Sequence, residues 1–296
     1  MVDVIIIGAG PAGMTAAIYA KRSNLDVILI EKGAPGGQIV NTFEIENYPG
    51  FLKGSGADLA LNMFQTVEDL DIRYEYGDCL EINKLEDHFE VVTDIETFEA
   101  KKVIVATGSS RRMLECKGEE ELVGSKISFC AVCDGSFYKN KRIGVIGGGN
   151  SAVEEARYLA DIGEHVTVIQ DLAYLTAEPK ACEKLLSMNN VDVLYNKKVL
   201  EYKYLSDKDQ VEIVFTDNSS VVVDGIFTFI GLKPNSEIVS KFGIVNKYGF
   251  IETNEHMETS VEGLFAVGDV RVKNIRQVVT ATNDGAIASL KIKEVL

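Results

Sequence analysis

The chain has 296 residues, of which 46% are hydrophobic and 25% charged, and its formal net charge is −15. That length allows about two domains, and an acidic surface repels phosphate backbones, so nucleic-acid binding is set aside. There is no apolar run of the ~18 residues that span a membrane, and no secretory leader is expected. With five cysteines, an odd number, rather than a paired disulfide framework, a cytoplasmic globular protein is expected.

From the N-terminus, the apolar run Val4 to Ile7 reads as a strand, and Gly8, Gly10 and Gly13 follow at G-x-G-x-x-G spacing. A helical pattern continues from Met14 to Arg22, and a second strand, Val27 to Ile30, ends at Glu31. This is a β-α-β dinucleotide unit with an acid placed for ribose hydroxyls. The glycines permit a tight turn, and the helix N-terminus offers free N–H groups to a pyrophosphate. GGQ at 36–38 and NYPG at 47–50 come next; by itself NYPG reads as a turn. Residues 98–108, FEAKKVIVATG, read as a strand running into a turn.

Cys130 and Cys133 form a C-x-x-C pair. In a cytosolic chain this spacing means redox or metal chemistry. Zinc would need two more ligands at short spacing, whereas Cys79, Cys116, Cys182, His88, His165 and His256 are scattered, so no metal is expected. The three single cysteines are expected to be small buried hydrophobes. After the strand Ile143 to Ile146, a second fingerprint appears as Gly147, Gly149 and Ala152, followed by a helix and the strand His165 to Ile169. Glu31 stands 23 residues after Gly8, and Gln170 stands 23 after Gly147. The two units align without a gap, but the acid has become Gln. Residues 264–270 form another strand-to-turn segment.

Two registered fingerprints imply an α/β protein with two Rossmann-like dinucleotide-binding domains. The second is inserted into the first: residues 1–110 and 233–296 form one domain, and 111–232 the central one. SSRRM at 109–113 and the turn-rich LKPN at 232–235 are the candidate hinges.

The motifs GAGPAG (8–13), GGQ (36–38), ENYPG (46–50), ATG (106–108), CAVCDG (130–135), GGGNSAVEEA (147–156), VGD (267–269) and RQ (276–277) occur in this order. In them the chain resembles the low-molecular-weight, bacterial-type thioredoxin reductases along nearly its whole length. That resemblance implies a homodimeric FAD flavoprotein of thioredoxin reductase-like fold, passing electrons through the C-x-x-C disulfide to thioredoxin. It assigns Cys130 to attack on thioredoxin, Cys133 to the flavin side and Asp134 to proton exchange. It assigns Gly8, Gly10, Pro11, Ala12, Gly13 and Glu31 to the pyrophosphate and ribose of FAD. It further assigns Gly37, Gln38, Asn47, Thr107, Gly108, Gly268, Asp269, Arg276, Gln277 and Val278 to the remainder of the cofactor. Thr107 and Gly108 also read as a plain strand end.

One stretch departs from the family pattern. NADPH-using members carry a basic H-R-R-x-x-x-R-type segment after the second strand of the central domain. Here that place reads QDLAYLT, residues 170–176. In this respect the chain resembles the ferredoxin-dependent branch, which implies reduced ferredoxin as the donor. Arg271 and Lys273 are candidate docking cations, or residues of a solvated loop. Gln170 and Asp171 read as a solvated loop, although a Gln amide can also bond a ribose, so NADH or NADPH is the alternative donor. A non-turnover redox sensor is the alternative of another class.

Overall fold

The computed structural model describes residues 1–42, 45–52 and 54–296. The chain divides into two compact units: Met1–Ser110 with Lys233–Leu296, and Arg111–Leu232.

In chain order the first unit opens with strand β1 (Val2–Ile7), helix α1 (Pro11–Arg22), β2 (Val27–Glu31), α2 (Gly56–Asp69), β3 (Arg73–Tyr76), β4 (Cys79–Lys84), β5 (Phe89–Thr93) and β6 (Thr97–Val105). The chain leaves through β7 (Ser109–Arg111). The second unit contains α3 (Glu119–Leu122), β8 (Ile127–Ser128), α4 (Ala131–Asp134), β9 (Arg142–Ile146), α5 (Asn150–Ala160) and β10 (His165–Ile169). It continues with α6 (Pro179–Leu186), β11 (Val191–Leu194), β12 (Val199–Leu205), β13 (Gln210–Phe215), β14 (Ser220–Val223) and β15 (Gly225–Thr228). The chain returns through β16 (Leu232–Pro234) and ends in β17 (Leu264–Ala266) and α7 (Val278–Val295).

The sheet of the first unit runs β3-β2-β1-β6-β5-β4, with β17 also on β6. β3, β2, β1, β6 and β17 are parallel, and β5 and β4 are antiparallel additions. Val4, Ile5 and Ile6 are buried on both faces of the sheet, as a central parallel strand requires. The chain order reverses at β1, with β2 on one side and β6 on the other. The crevice beyond the carboxyl end of β1 is therefore the expected ligand position in an open α/β sheet. Helix α1 is set there by α7. A Cβ on Gly285 would lie 2.2 Å from the Ala12 carbonyl oxygen, so only glycine lets the two helices approach this closely. Ser289 Oγ donates to the Ala16 carbonyl at 2.7 Å across the same seam.

The second unit has a five-stranded parallel sheet, β11-β10-β9-β15-β8, and an antiparallel three-stranded one, β12-β13-β14. β8 and β9 flank β15 and run parallel to it, so their carboxyl ends open on one edge. The connecting segments hold a correction. Residues 232–235 read as a turn, yet Leu232–Pro234 form a strand paired with Ser109–Arg111. Pro234 is tolerated because a two-stranded ribbon is all edge.

Candidate active site

At the carboxyl end of β8 the chain turns sharply. Cys130 has extended backbone angles (φ −145°, ψ 101°), and a single helical turn, Ala131–Asp134, follows. This turn brings Cys130 and Cys133 to a Cα separation of 5.3 Å, and they are joined as a disulfide. The Cys133 N–H donates to Cys130 Sγ at 3.2 Å. A donor in that position favours the anionic sulfur once the bond is opened. Ala131 is fully buried and anchors the turn, whereas Val132 is 51% exposed on its outer side.

Asp134 follows directly. Burial pushes its carboxyl above the usual range, opposed by the Ser128 hydroxyl and by the positive charge of Arg111. Ser128 Oγ bonds the Asp134 carboxyl and also accepts the Cys130 N–H at 3.2 Å. The Arg111 guanidinium lies 4.7 Å from the Phe129 ring centre. Ser128 and Arg111 escape sequence reasoning because a lone Ser and an Arg in a connecting segment carry no spacing signal. The single cysteines differ from expectation in part: Cys79 is buried, but Cys116 and Cys182 are half-buried. Burial pushes the Cys79 thiol up to about 12 and the Cys116 thiol to about 11, so neither is nucleophilic near neutral pH. Among the described residues no group of three or more His, Cys, Asp and Glu could hold a metal ion.

In the first unit, the glycines after β1 have distinct tasks. Gly8 has φ +107°, and a Cβ there would meet the Ala106 carbonyl oxygen at 2.5 Å. A Cβ on Gly13 would fall 1.8 Å from the Gly8 oxygen. Gly10 is different, because nothing lies within 4 Å of its would-be Cβ. The turn is closed where the chain needs it and open over Gly10, in front of α1, whose first residues are Pro11, Ala12 and Gly13. Glu31 Oε2 accepts the Ala9 N–H at 2.7 Å and Oε1 accepts the Gly33 N–H at 2.9 Å. Its carboxylate thus braces the loop, and each oxygen retains a lone pair. Gly37 passes close by, with Gly10 Cα 3.4 Å from its would-be Cβ, and Gln38 follows exposed on the same turn.

The remaining residues of the expected set come from distant parts of the first unit's sequence, and Asn47 and Gln277 are joined directly by a hydrogen bond. Asn47 Nδ2 donates to Gln277 Oε1 at 3.2 Å, across 230 residues of sequence. Gln277 caps α7, placing Val278 in its first turn. Thr107 Oγ1 donates to the Asn235 carbonyl, Asn235 Nδ2 returns to the Thr107 carbonyl at 2.9 Å, and the Asn235 N–H reaches the Gly108 carbonyl at 3.0 Å. Arg276 lies 4.5 Å from the Phe250 ring centre; burial lowers its pKa and the charge of Asp269 opposes that. The Gly268 N–H is held by buried Asp284 at 3.1 Å. Asn235 and Asp284 are further residues that sequence reasoning misses.

A family model described as pyridine nucleotide-disulphide oxidoreductase matches residues 2–285. The thioredoxin reductase of Bacillus subtilis (strain 168) is 43% identical over 295 residues, 98% of this chain and 93% of that protein. The one from Ureaplasma parvum serovar 3 is 42% identical, over 99% of this chain and 96% of its own. The crystal structure of thioredoxin reductase from Streptococcus pyogenes MGAS5005 superposes with a TM-score of 0.93 at 41% identity, over 99% of this chain and 97% of that one. The chain belongs to the thioredoxin reductases.

Thioredoxin reductases of this type are FAD enzymes. Nothing lies within 4 Å of a Cβ built on Gly10, and this open space before the α1 N-terminus, together with the glycine turn, fits a pyrophosphate.

The second fingerprint, Gly147 to Ala152, leads α5 at the carboxyl edge of its sheet. Here the reading of Gln170 as a solvated residue is corrected. Gln170 is only 5% exposed. Its Nε2 donates to the Tyr174 carbonyl at 3.1 Å, and a Cβ on Gly148 would meet that same nitrogen at 2.5 Å. The Thr176 and Ala177 N–H groups both reach the Gly148 carbonyl, at 2.7 and 3.1 Å. Residues 170–177 therefore fold back on the glycine loop, with Gln170 as the brace. Asp171 is exposed, as expected. The docking role of Arg271 and Lys273 is also corrected. Their side chains are 14% and 8% exposed and both bond Asp284, so they are not offered to a partner. The relatives carry the names of ordinary thioredoxin reductases and lend the ferredoxin-dependent branch no support.

Proposed function

We propose that this chain reduces thioredoxin through FAD and the Cys130–Cys133 disulfide. The observation that carries this reading is the disulfide itself, set at the end of β8 beside the sheltered carboxyl of Asp134. FAD, when bound, would supply the redox chemistry that brings two electrons per turnover to the disulfide. Gly8, Gly10, Gly13 and the α1 N-terminus would hold its pyrophosphate, Glu31 its ribose, and Gly37, Gln38, Asn47, Thr107, Gly108, Gly268, Asp269, Arg276, Gln277 and Val278 the rest. When two electrons enter the pair, the S–S bond opens to two sulfur anions, and Asp134 gives its proton to one of them. The Cys130 anion attacks a sulfur of the thioredoxin disulfide, and the other thioredoxin sulfur leaves. Cys133 then attacks the Cys130 sulfur, which re-forms the enzyme disulfide and releases the second thioredoxin sulfur. Two protons end on the thioredoxin dithiol. The family likeness supports a homodimer, and a dithiol of this kind suits a reducing cytoplasm.

The donor with most support is a pyridine nucleotide, because the matching family is described by that cofactor class. No cation stands among residues 170–176 to select a 2′-phosphate, so NADPH has no advantage over NADH. That same absence favours a second reading, in which reduced ferredoxin is the donor. The test is anaerobic: NADPH, NADH and reduced ferredoxin are offered separately, and flavin bleaching and thioredoxin reduction are followed. NADH and NADPH are expected to bleach the flavin at comparable rates. Bleaching by ferredoxin alone would replace the donor, and a protein that takes up no FAD would remove the whole reading.

A further inference from the structure

Ser128, at the head of the redox turn, is a polar side chain to which the proposed electron path gives no task. Ser128, the last residue of β8, bonds both the Asp134 carboxyl and the Cys130 N–H through a single oxygen. Its position is set by the sheet, since Ser128 pairs with Phe227 of β15, and Phe227 is fully buried. A second brace, the Asp134 N–H on the Cys130 carbonyl at 3.1 Å, is made by the helical turn alone. The hydroxyl is thus the side-chain link that joins the acid to the first cysteine and ties both to the sheet.

We infer that Ser128 is a positioning residue for the disulfide chemistry, its hydroxyl clamping the Asp134 carboxyl and the Cys130 amide so that proton donor and sulfur pair stay in register. The inference deepens the proposed function and rests on that reading for the role of Asp134. The chemistry is that of the proposed electron path. As the S–S bond takes up two electrons and opens, the carboxylic acid loses its proton to a sulfur anion. The resulting carboxylate keeps the Ser128 hydroxyl as donor until it regains a proton from solvent.

Arg111 acts on Asp134 with positive charge, and Tyr138 lies on the turn that follows. Helix α5, packed against the redox turn, carries Glu154, Glu155, Arg157 and Tyr158, with the Tyr158 ring 3.3 Å from the would-be Cβ of Gly135. Burial raises the Asp134 pKa, while Ser128 and Arg111 lower it. A hydroxyl donating to a carboxylate stabilises the ionised form, so its removal moves the titration upward.

The test compares the oxidised wild type with Ser128→Ala and Ser128→Thr, reading the Asp134 carboxyl by 13C NMR and thioredoxin reduction against pH. In Ser128→Ala the carboxyl midpoint is expected to rise by about one to two pH units, the size of one charge-assisted hydrogen bond. The alkaline limb of turnover should move with it, and Ser128→Thr, which keeps the hydroxyl, should restore both. An Asp134 midpoint unmoved in Ser128→Ala overturns the inference. A moved midpoint with an unmoved turnover limb leaves the clamp standing and overturns Asp134 as the proton donor. If Ser128→Ala does not fold, Ser128→Cys, whose S–H is a much weaker donor, carries the same expectation and the same refutation.

Discussion

Asp134 shows how one side chain takes its chemistry from its surroundings. A carboxyl in water is ionised at neutral pH and has no proton to give. Burial disfavours the charge and raises the pKa, so the acid persists further toward neutrality. Proton delivery is therefore complete below the raised pKa and is lost as pH climbs through it. Asp134→Asn is expected to slow thioredoxin reduction by about 10²- to 10⁴-fold, the usual contribution of a positioned acid. It should also erase the alkaline limb, which a steady-state pH profile will show. Cys130→Ser should abolish thioredoxin reduction while leaving FAD bound, because the cradle and the redox turn belong to different units. Thioredoxin turnover and the flavin absorption spectrum measure the two halves of that expectation.

For the element that joins β1 to α1, the three glycines make separable predictions. Gly13→Ala places a methyl group 1.8 Å from a backbone oxygen and should destabilise the first unit even without cofactor. Gly10→Ala meets nothing in the protein, and its backbone (φ −73°, ψ 179°) suits any residue. The Gly10 variant should therefore fold with an unchanged apo-protein Tm but bind FAD at least tenfold more weakly, because the methyl enters the pyrophosphate position. Calorimetry of the apo-protein and FAD titration separate the two effects. In the loop after β10, Asp171→Arg supplies an exposed cation beside the second fingerprint. It should shift the NADPH-to-NADH affinity ratio toward NADPH by roughly tenfold, the scale of one charge-assisted bond.

Across the first unit as a body, the Arg271–Asp284–Lys273 cluster joins α7 to the segment after Gly268. Asp284 Oδ2 takes the Gly268 N–H, Lys273 Nζ at 2.8 Å and Arg271 Nη1 at 3.4 Å. Removing the shared carboxylate would leave two nearly buried cations unpaired. Asp284→Ala should cost about 3–5 kcal/mol of stability, as the breaking of a buried pair does. It should also weaken FAD binding, because the Gly268–Asp269 turn loses its anchor. Denaturant unfolding with and without FAD checks both. Within the chain no described helix is long and apolar enough to cross a membrane.

The sequence by itself determined the α/β class, the two dinucleotide fingerprints, the C-x-x-C pair with its following Asp, and the missing acid at Gln170. These are legible because glycine spacing, strand runs and short-range turns are local, and their geometry is set within a few bonds. Tertiary structure decided what partners each polar side chain finds. Arg271 and Lys273 look like a surface patch in the sequence and are buried by an Asp 11 to 13 residues away on α7. Gln170 looks like a loop residue and is the brace of its loop. Asn47 meets Gln277 across most of the chain, and Ser128 becomes the clamp of the redox turn only because β8 lies beside β15. A polar residue's role depends on what is packed against it, and that is settled when distant segments meet, not by its neighbours in sequence.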